Sequence, residues 1–398
     1  MRFFTSNAFA AGKDAVPPGR GFAAELLVTA VLLLSGMGCP QPGSGLPTTT
    51  LSGEGGMVGR PDTTDAGLQD AAATPADAGS TQSPRDGGPE ADASTPTLSA
   101  SDFSSFVSGD YTYWLYRPSN IPPDRPAPLV MMLHGCQQTA LEFKADTALL
   151  ELAEQEKFWV VYPEQNTSAH PLRCWRWFDA EHQERERGEP GALRAIVADI
   201  QESHTIDTEQ IYVAGLSAGA AMTVILVTVY GDVFQKGFAL AGLPYQAARN
   251  EFEVAWAMGA GVPDPVAKGR SAYAAMVPDT PMASLFVMHG QADLVVAFIN
   301  GVHLIQQWTT CADLHWDGIE NDDVSAGAAQ NLAPAQDNTR AAVLQKHTLP
   351  SGDIVAASLW VEGLGHKWPG SPSGNAYADA VGPSATQWMW DFFRDNLP

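Results

Sequence analysis

The rhythm of apolar and polar positions changes at residue 103. Beyond it, short β-rich apolar runs alternate with segments whose apolar residues recur at helical spacing. Strands are predicted at 111–118 (YTYWLYRP), 129–133 (LVMML), 158–163 (FWVVYP), 211–215 (IYVAG), 237–242 (GFALAG), 284–290 (SLFVMHG) and 354–363 (IVAASLWVEG). Helices are predicted over 141–157, 193–204 and 385–396. Several strands are apolar throughout instead of alternating, which suits a parallel sheet covered on both faces. Strand and helix in alternation imply one doubly wound α/β domain over 103–398. The stretch 244–282, rich in Ala, Gly and Pro, reads as an excursion over the strand ends, where lids sit.

Before residue 103 the pattern is different. Residues 40–102 are built largely from Pro, Gly, Ser, Thr, Ala and Asp, with no aromatic until Phe103. Such a segment buries too little apolar surface to offset its conformational entropy, so a disordered linker is expected. Residues 1–39 read as a secretory signal: Arg2, Lys13 and Arg20, then the apolar run LLVTAVLLL, then small residues. Gly36-Met37-Gly38-Cys39 resembles a bacterial lipoprotein box, in which Cys39 would be lipidated, although Gly36 stands where that box usually has leucine. Ordinary cleavage with full release is the alternative. Glu25 and the long basic region suit a start codon later than Met1.

A formal net charge of −23 argues against nucleic acid or anionic lipid as a partner, because an acidic surface repels phosphates. A lipid on Cys39 would be the one link to a membrane, since no apolar run reaches the roughly 20 residues of a span. With 45% hydrophobic residues and 11 Trp, the chain can bury a sizeable core.

The candidate chemistry begins at GLSAG, a G-x-S-x-G pattern between a predicted strand and a predicted helix. A serine at so sharp a turn needs neighbours without side chains, which Gly215 and Gly219 supply. The bare pattern arises easily by chance in a glycine-rich chain, so its context decides. A serine nucleophile requires a base and an orienting carboxylate, and in the α/β-hydrolase layout these follow in the order Ser, Asp or Glu, His at later strand ends. Asp293 follows the strand of 284–290 and His366 follows that of 354–363. Taken singly, Asp293 reads as a turn cap and His366 as a surface histidine; together and in order they read as partners of Ser217. Backbone N–H groups of Cys136 or Gln137, after the strand of 129–133, and of Ala218 are candidates for an oxyanion site. His134 reads as a brace of that loop.

LHGCQQT, YPEQ, CWRWF, GLSAGAAM, AGLPY, GLGHKWPG and GPSATQWMWDFF, in this order, resemble the esterase family that includes extracellular polyhydroxybutyrate depolymerases and related feruloyl and acetylxylan esterases. The resemblance runs from about Tyr111 to the C-terminus. It implies an α/β-hydrolase fold with a mostly parallel central sheet and helices on both faces. It also implies Ser217, Asp293 and His366 as the triad and the Cys136 loop as the oxyanion hole. Arg176 departs from the family, which commonly has asparagine there. No polymer-binding domain follows the resemblance, which sets the expectation of weak adsorption to solid polyester.

The implied reaction is a two-step acyl exchange on an ester substrate, a polyester oligomer or an acylated polysaccharide, without metal or cofactor. The charge run of 180–190 (AEHQERERGEP) lacks paired metal-ligand spacing and reads as a solvated loop or helix end. Trp175, Trp177 and Phe178 are candidates for the substrate wall, with burial in the core as the competing reading. Export allows one disulfide among Cys136, Cys174 and Cys311, and three pairings are open. Cys136 with Cys174 is favoured, tying the aromatic loop to the oxyanion loop, with Cys311 left as a buried thiol. The alternatives to a polyester hydrolase are a feruloyl or acetylxylan esterase and, in another class, a non-catalytic surface scaffold.

Overall fold

The computed structural model describes residues 103–398 apart from 120, 123 and 335–338. The predicted signal, the Cys39 box and the linker lie outside the described residues. In chain order the elements are β1 (Phe103–Ser108), β2 (Tyr111–Tyr116), β3 (Ala127–Leu133), α1 (Ala140–Thr147), α2 (Leu149–Glu156), β4 (Trp159–Glu164) and α3 (Gly188–Ser203). Next come β5 (Ile206–Leu216), α4 (Ala218–Val229), β6 (Lys236–Leu240), α5 (Val254–Ala260), α6 (Pro265–Ala275), β7 (Ser284–Gly290) and α7 (Ile299–Asp317). The chain continues with β8 (Ser325–Ala326), β9 (Gln330–Leu332), β10 (Ala342–Thr348), β11 (Ile354–Val361), β12 (Trp368–Pro369), β13 (Ala378–Asp379) and α8 (Ala385–Phe393).

The main sheet runs β1-β2-β4-β3-β5-β6-β7-β11-β10-β8, with β9 beside β10. Neighbours from β4 to β11 are parallel, while β1, β2, β8, β9 and β10 pair antiparallel at the two edges. The apolar strands have two buried faces. On β3, Leu129, Met131 and Leu133 enter one core while Val130 and Met132 enter the other. The first core is closed by α3, α4 and α7 through Leu193, Ile196, Val224, Leu304 and Trp308; the second by α1, α2 and α8 through Phe143, Leu149, Met389 and Phe393. Burial of side chains of this size contributes about 1.5–3 kcal/mol each. Every residue of α4 is buried, as expected for a helix apolar on all sides that lies beneath the sheet's centre.

The predicted helix of 141–157 is two helices, broken where Ala148 adopts a left-handed φ of 47°. A continuous helix would use the Thr147 carbonyl internally, but that oxygen accepts the Thr386 hydroxyl at 2.5 Å. The run of 180–190 is a helix end, as expected, yet it is not wholly solvated: His182, Gln183 and Glu189 are buried. β1, α7 and β10 add to the predicted set. The middle of β1, Ser104 to Val107, is exposed on both faces, Phe106 and Val107 included, and Asn300, Gly301 and Gln307 interrupt the buried stripe of α7. Segment 244–282 carries α5 and α6. Tyr245 exchanges two hydrogen bonds with the Gln307 amide, at 2.7 and 2.9 Å, and the Met258 carbonyl accepts the Ala297 N–H at 2.8 Å.

Candidate active site

Ser217 sits between β5 and α4 with φ 59° and ψ −120°, a left-handed backbone that non-glycine residues rarely hold. Gly215 and Gly219 make this turn possible. A Cβ at Gly215 would lie 2.3 Å from the Gly219 carbonyl carbon, and one at Gly219 would lie 2.0 Å from the Leu133 oxygen. The Ser217 N–H donates to Leu240 O at 3.0 Å, so the turn is fastened to β6.

Asp293 and His366 come from loops beyond the same ends of β7 and β11. Gly290 lets these loops close on each other, because a Cβ there would lie 2.1 Å from Leu364 O. His366 Nδ1 lies 2.7 Å from Asp293 Oδ2. A carboxylate only accepts, so Nδ1 carries a proton, and in the neutral ring the lone pair is on Nε2. The other Asp293 oxygen accepts the Val295 and Val296 N–H groups at 2.8 and 2.9 Å. Burial pushes the Asp293 carboxyl up, but the hydrogen bond and charge of His366, the charge of His289 and the Val295 N–H outweigh it. The group is held below the usual carboxylate range. Among the described residues, Ser217 Oγ makes no hydrogen bond.

The loop after β3 is fixed on several sides. His134 Nε2 accepts the Gln165 N–H at 3.0 Å, which leaves Nδ1 to donate to Gly135 O at 2.8 Å. Burial lowers the pKa of this ring to about 4, so it is a neutral brace, as its position predicts. Cys136 is bonded to Cys174, the favoured pairing, and Cys311 is a buried free thiol. Gln165 Nε2 donates to Cys174 O at 3.1 Å and to Glu189 Oε1 at 2.6 Å, while Glu189 Oε2 accepts the Arg176 N–H at 2.7 Å. Burial raises the Glu189 carboxyl to about 7 against these hydrogen bonds. The Arg176 guanidinium turns to Asp179, 2.5 Å away.

Two expectations need correction. The Gln137 N–H is not an oxyanion donor, because it donates to Leu172 O at 2.7 Å. Cys136 and Ala218 remain, and neither N–H is engaged among the described residues. Trp175, Trp177 and Phe178 do not form an open substrate wall: they are 0%, 4% and 5% exposed. Trp175 lies between Tyr111 and His134, with centroids 6.2 and 5.5 Å away, so it supports the loop from beneath.

His289, Gln138 and Asp146 were not singled out by the sequence. His289 Nε2 lies 2.9 Å from Val296 O and 3.6 Å from Asp293 Oδ2, bracing the Asp293 turn. Asp146 left a signal: with Phe143 and Thr147 it occupies the buried face of α1, where a charged residue needs partners.

A strained serine, a histidine of fixed tautomer and two uncommitted N–H groups share one rim of the sheet. Such a set is equipped for nucleophilic attack on a carbonyl. The family model described as esterase PHB depolymerase matches residues 111–318. Poly(3-hydroxyalkanoate) depolymerase C of Paucimonas lemoignei is 30% identical over 67% of this chain and 61% of its own length. Acetylxylan esterase A of Emericella nidulans is 26% identical over 55% of this chain and 74% of its own. Feruloyl esterase B of Talaromyces funiculosus is 24% identical, over 55% and 63%. The solved acetyl xylan esterase from Aspergillus awamori shares the fold with a TM-score of 0.55 at 18% identity, covering 66% of this chain and 93% of that one. The chain thus spans under two thirds of the Paucimonas relative's length.

Proposed function

The chain belongs to the polyhydroxybutyrate depolymerase family of esterases, and on that premise we propose that it is an exported serine carboxylic ester hydrolase acting on polyester oligomers. The observation that carries the reading is the 2.7 Å pair of His366 and Asp293 on the same rim as the strained Ser217. Ser217 Oγ attacks the ester carbonyl as His366 Nε2 takes its proton. Asp293 holds the imidazole and stabilises the imidazolium. The Cys136 and Ala218 N–H groups receive the tetrahedral oxyanion. His366 then protonates the departing alcohol, and a water activated by the same Nε2 hydrolyses the acyl-enzyme.

Export is supported by the basic, apolar and small-residue order of 1–39 and by the Cys136–Cys174 bond, which suits an oxidising compartment. Release after cleavage and lipidation at Cys39 are both compatible with that order. Among the described residues, no helix is long and apolar enough to cross a membrane.

A carbohydrate esterase is the second reading, favoured by the similarity to the acetylxylan and feruloyl esterases. The test is hydrolysis of 3-hydroxybutyrate oligomers against feruloylated and acetylated xylo-oligosaccharides, with p-nitrophenyl butyrate and fluorophosphonate labelling of Ser217 as controls. Turnover of the hydroxybutyrate oligomers alone is expected. Turnover of the xylo-oligosaccharides alone would favour the second reading. Protein that neither hydrolyses any ester nor labels would be a scaffold.

A further inference from the structure

Asp146, in the last turn of α1, is fully buried, and the acyl-transfer scheme does not use it. Its two oxygens serve different loops, through neutral donors. Oδ2 accepts from Gln138 Nε2 at 2.7 Å, and Gln138 Oε1 accepts the Gly135 N–H at 2.8 Å. Oδ1 accepts from Ser373 Oγ at 2.6 Å and from Asn375 Nδ2 at 2.7 Å. Gly135 directly precedes the Cys136 donor and lies against the nucleophile: a Cβ on it would stand 3.4 Å from Ser217 Cβ. Ser373 and Asn375 follow His366 along the chain by way of β12. There Trp368 packs edge-on against Phe143 of α1 at 5.4 Å, and its indole N–H donates to Thr386 Oγ1 at 3.0 Å. The end of α1 therefore holds both the loop that carries the oxyanion donor and the segment that carries the base.

We propose that Asp146 is a positioning residue, one carboxylate that fixes the separation between the Cys136 N–H and His366. The proposal rests on the serine esterase reading. Only a carboxylate accepts on both oxygens at this size; an asparagine would turn an N–H2 group toward the donors of one loop. A displacement of about 1 Å in a reacting constellation costs on the order of 10²-fold in rate.

The test compares wild type, Asp146→Asn and the double variant Ser373→Ala/Asn375→Ala on p-nitrophenyl butyrate. Active sites are counted by fluorophosphonate labelling, and folding is followed by circular dichroism. Asp146→Asn should lower kcat per labelled site about 10- to 100-fold with KM within about twofold, because the interactions disturbed act in the transition state. The double variant should move in the same direction, and affinity for a trifluoromethyl ketone, which mimics the tetrahedral intermediate, should fall in parallel. A merely structural role would lower Tm and leave kcat per labelled site within about twofold of wild type; that result in both variants overturns the proposal. If Asp146→Asn does not fold, the double variant decides by the same limits. Wild type that neither hydrolyses nor labels overturns the esterase reading and the proposal with it, whereas active wild type with unaffected variants overturns the proposal alone.

Discussion

The rim of the sheet around Ser217 is built in two contrasting ways. On the oxyanion side, His134, Gly135, Gln137 and Gln138 each hold a hydrogen-bond partner, Cys136 is covalently tied, and Trp175 lies buried beneath them. The arc from Ala248 to Val262 is tied at Ala248 to Gln183, at Met258 to Ala297 in the loop beyond Asp293, and at Val262 to His303 of α7. It is anchored by its backbone but presents Phe252 and Trp256 at 79% and 69% exposure, and Leu294 beyond it is 88% exposed. Side chains with no packing partner add little to stability, whereas a loop saturated with buried polar contacts is rigid and intolerant of change. We propose that the first region carries the chemistry and the second the choice of substrate, a division that the following variants test.

The largest effects belong to the reacting groups. Ser217→Ala should reduce kcat on p-nitrophenyl butyrate by about 10⁴- to 10⁶-fold with Tm unchanged or raised, because the substitution removes the nucleophile and keeps the strained turn. Asp293→Asn should cost about 10⁴-fold by presenting the wrong tautomer of His366. Steady-state kinetics on protein with a native circular dichroism spectrum check both, and activity within tenfold of wild type in either variant would sink the mechanism.

Next comes the covalent tie of the rigid side. The bond spans 38 residues of sequence, so Cys136→Ser/Cys174→Ser should lose about 3–4 kcal/mol of stability, read by urea unfolding. If the oxyanion loop depends on the bond for its placement, kcat per labelled site falls as well, by about tenfold or more. A loss of stability with kcat unchanged would show that the hydrogen bonds alone place Cys136.

How much of this was legible in sequence follows the same division. The strands, the serine turn and the Asp293 and His366 loops could be read because each rests on local rules: apolar runs, glycines at a tight turn, polar residues at strand ends. The aromatic cluster misled, because an aromatic run carries the same signal whether it lines a pocket or fills a core; Trp175 is fully buried. Gln137 misled because whether an N–H is free depends on Leu172, in a loop that the sequence does not place beside it. Asp146 escaped because its partners Ser373 and Asn375 are 227 and 229 residues away. The break at Ala148 escaped for the same reason, since it depends on Thr386.

The neutral brace predicts a pH effect of intermediate size. His134 titrates in the fold at about 4, below the ordinary 6.5. Between these values the unfolded chain binds a proton that the folded chain refuses, so stability falls as pH drops from 6.5 toward 4, by about 3 kcal/mol in all. Glu189 has the opposite sign: raised from 4.5 to about 7, it stabilises the fold as pH falls through that window and destabilises it as pH rises. The two slopes offset each other in wild type. His134→Gln keeps a donor and an acceptor but cannot titrate, so its unfolding free energy should hold or rise from pH 7 to pH 4.5 relative to wild type. A difference between the two proteins that is constant with pH would mean that the loop is braced in some other way.

The smallest effects are expected on the outer arc, where the division can be broken most cleanly. Phe252→Ser and Trp256→Ser remove exposed side chains, so stability should stay within about 0.5 kcal/mol of wild type. Hydrolysis of p-nitrophenyl butyrate should stay within about twofold, since a short acyl group needs only the serine turn and its donors. An oligomer long enough to lie along the arc would bury part of each ring, and KM for it should rise about three- to tenfold, the equivalent of about 1 kcal/mol of apolar contact. Equal losses on short and long esters would place these residues in the chemistry and erase the distinction between the two regions. A rise confined to the long ester, with kcat unchanged, would locate substrate choice on the arc, because an interaction lost equally from the ground and transition states appears in KM alone.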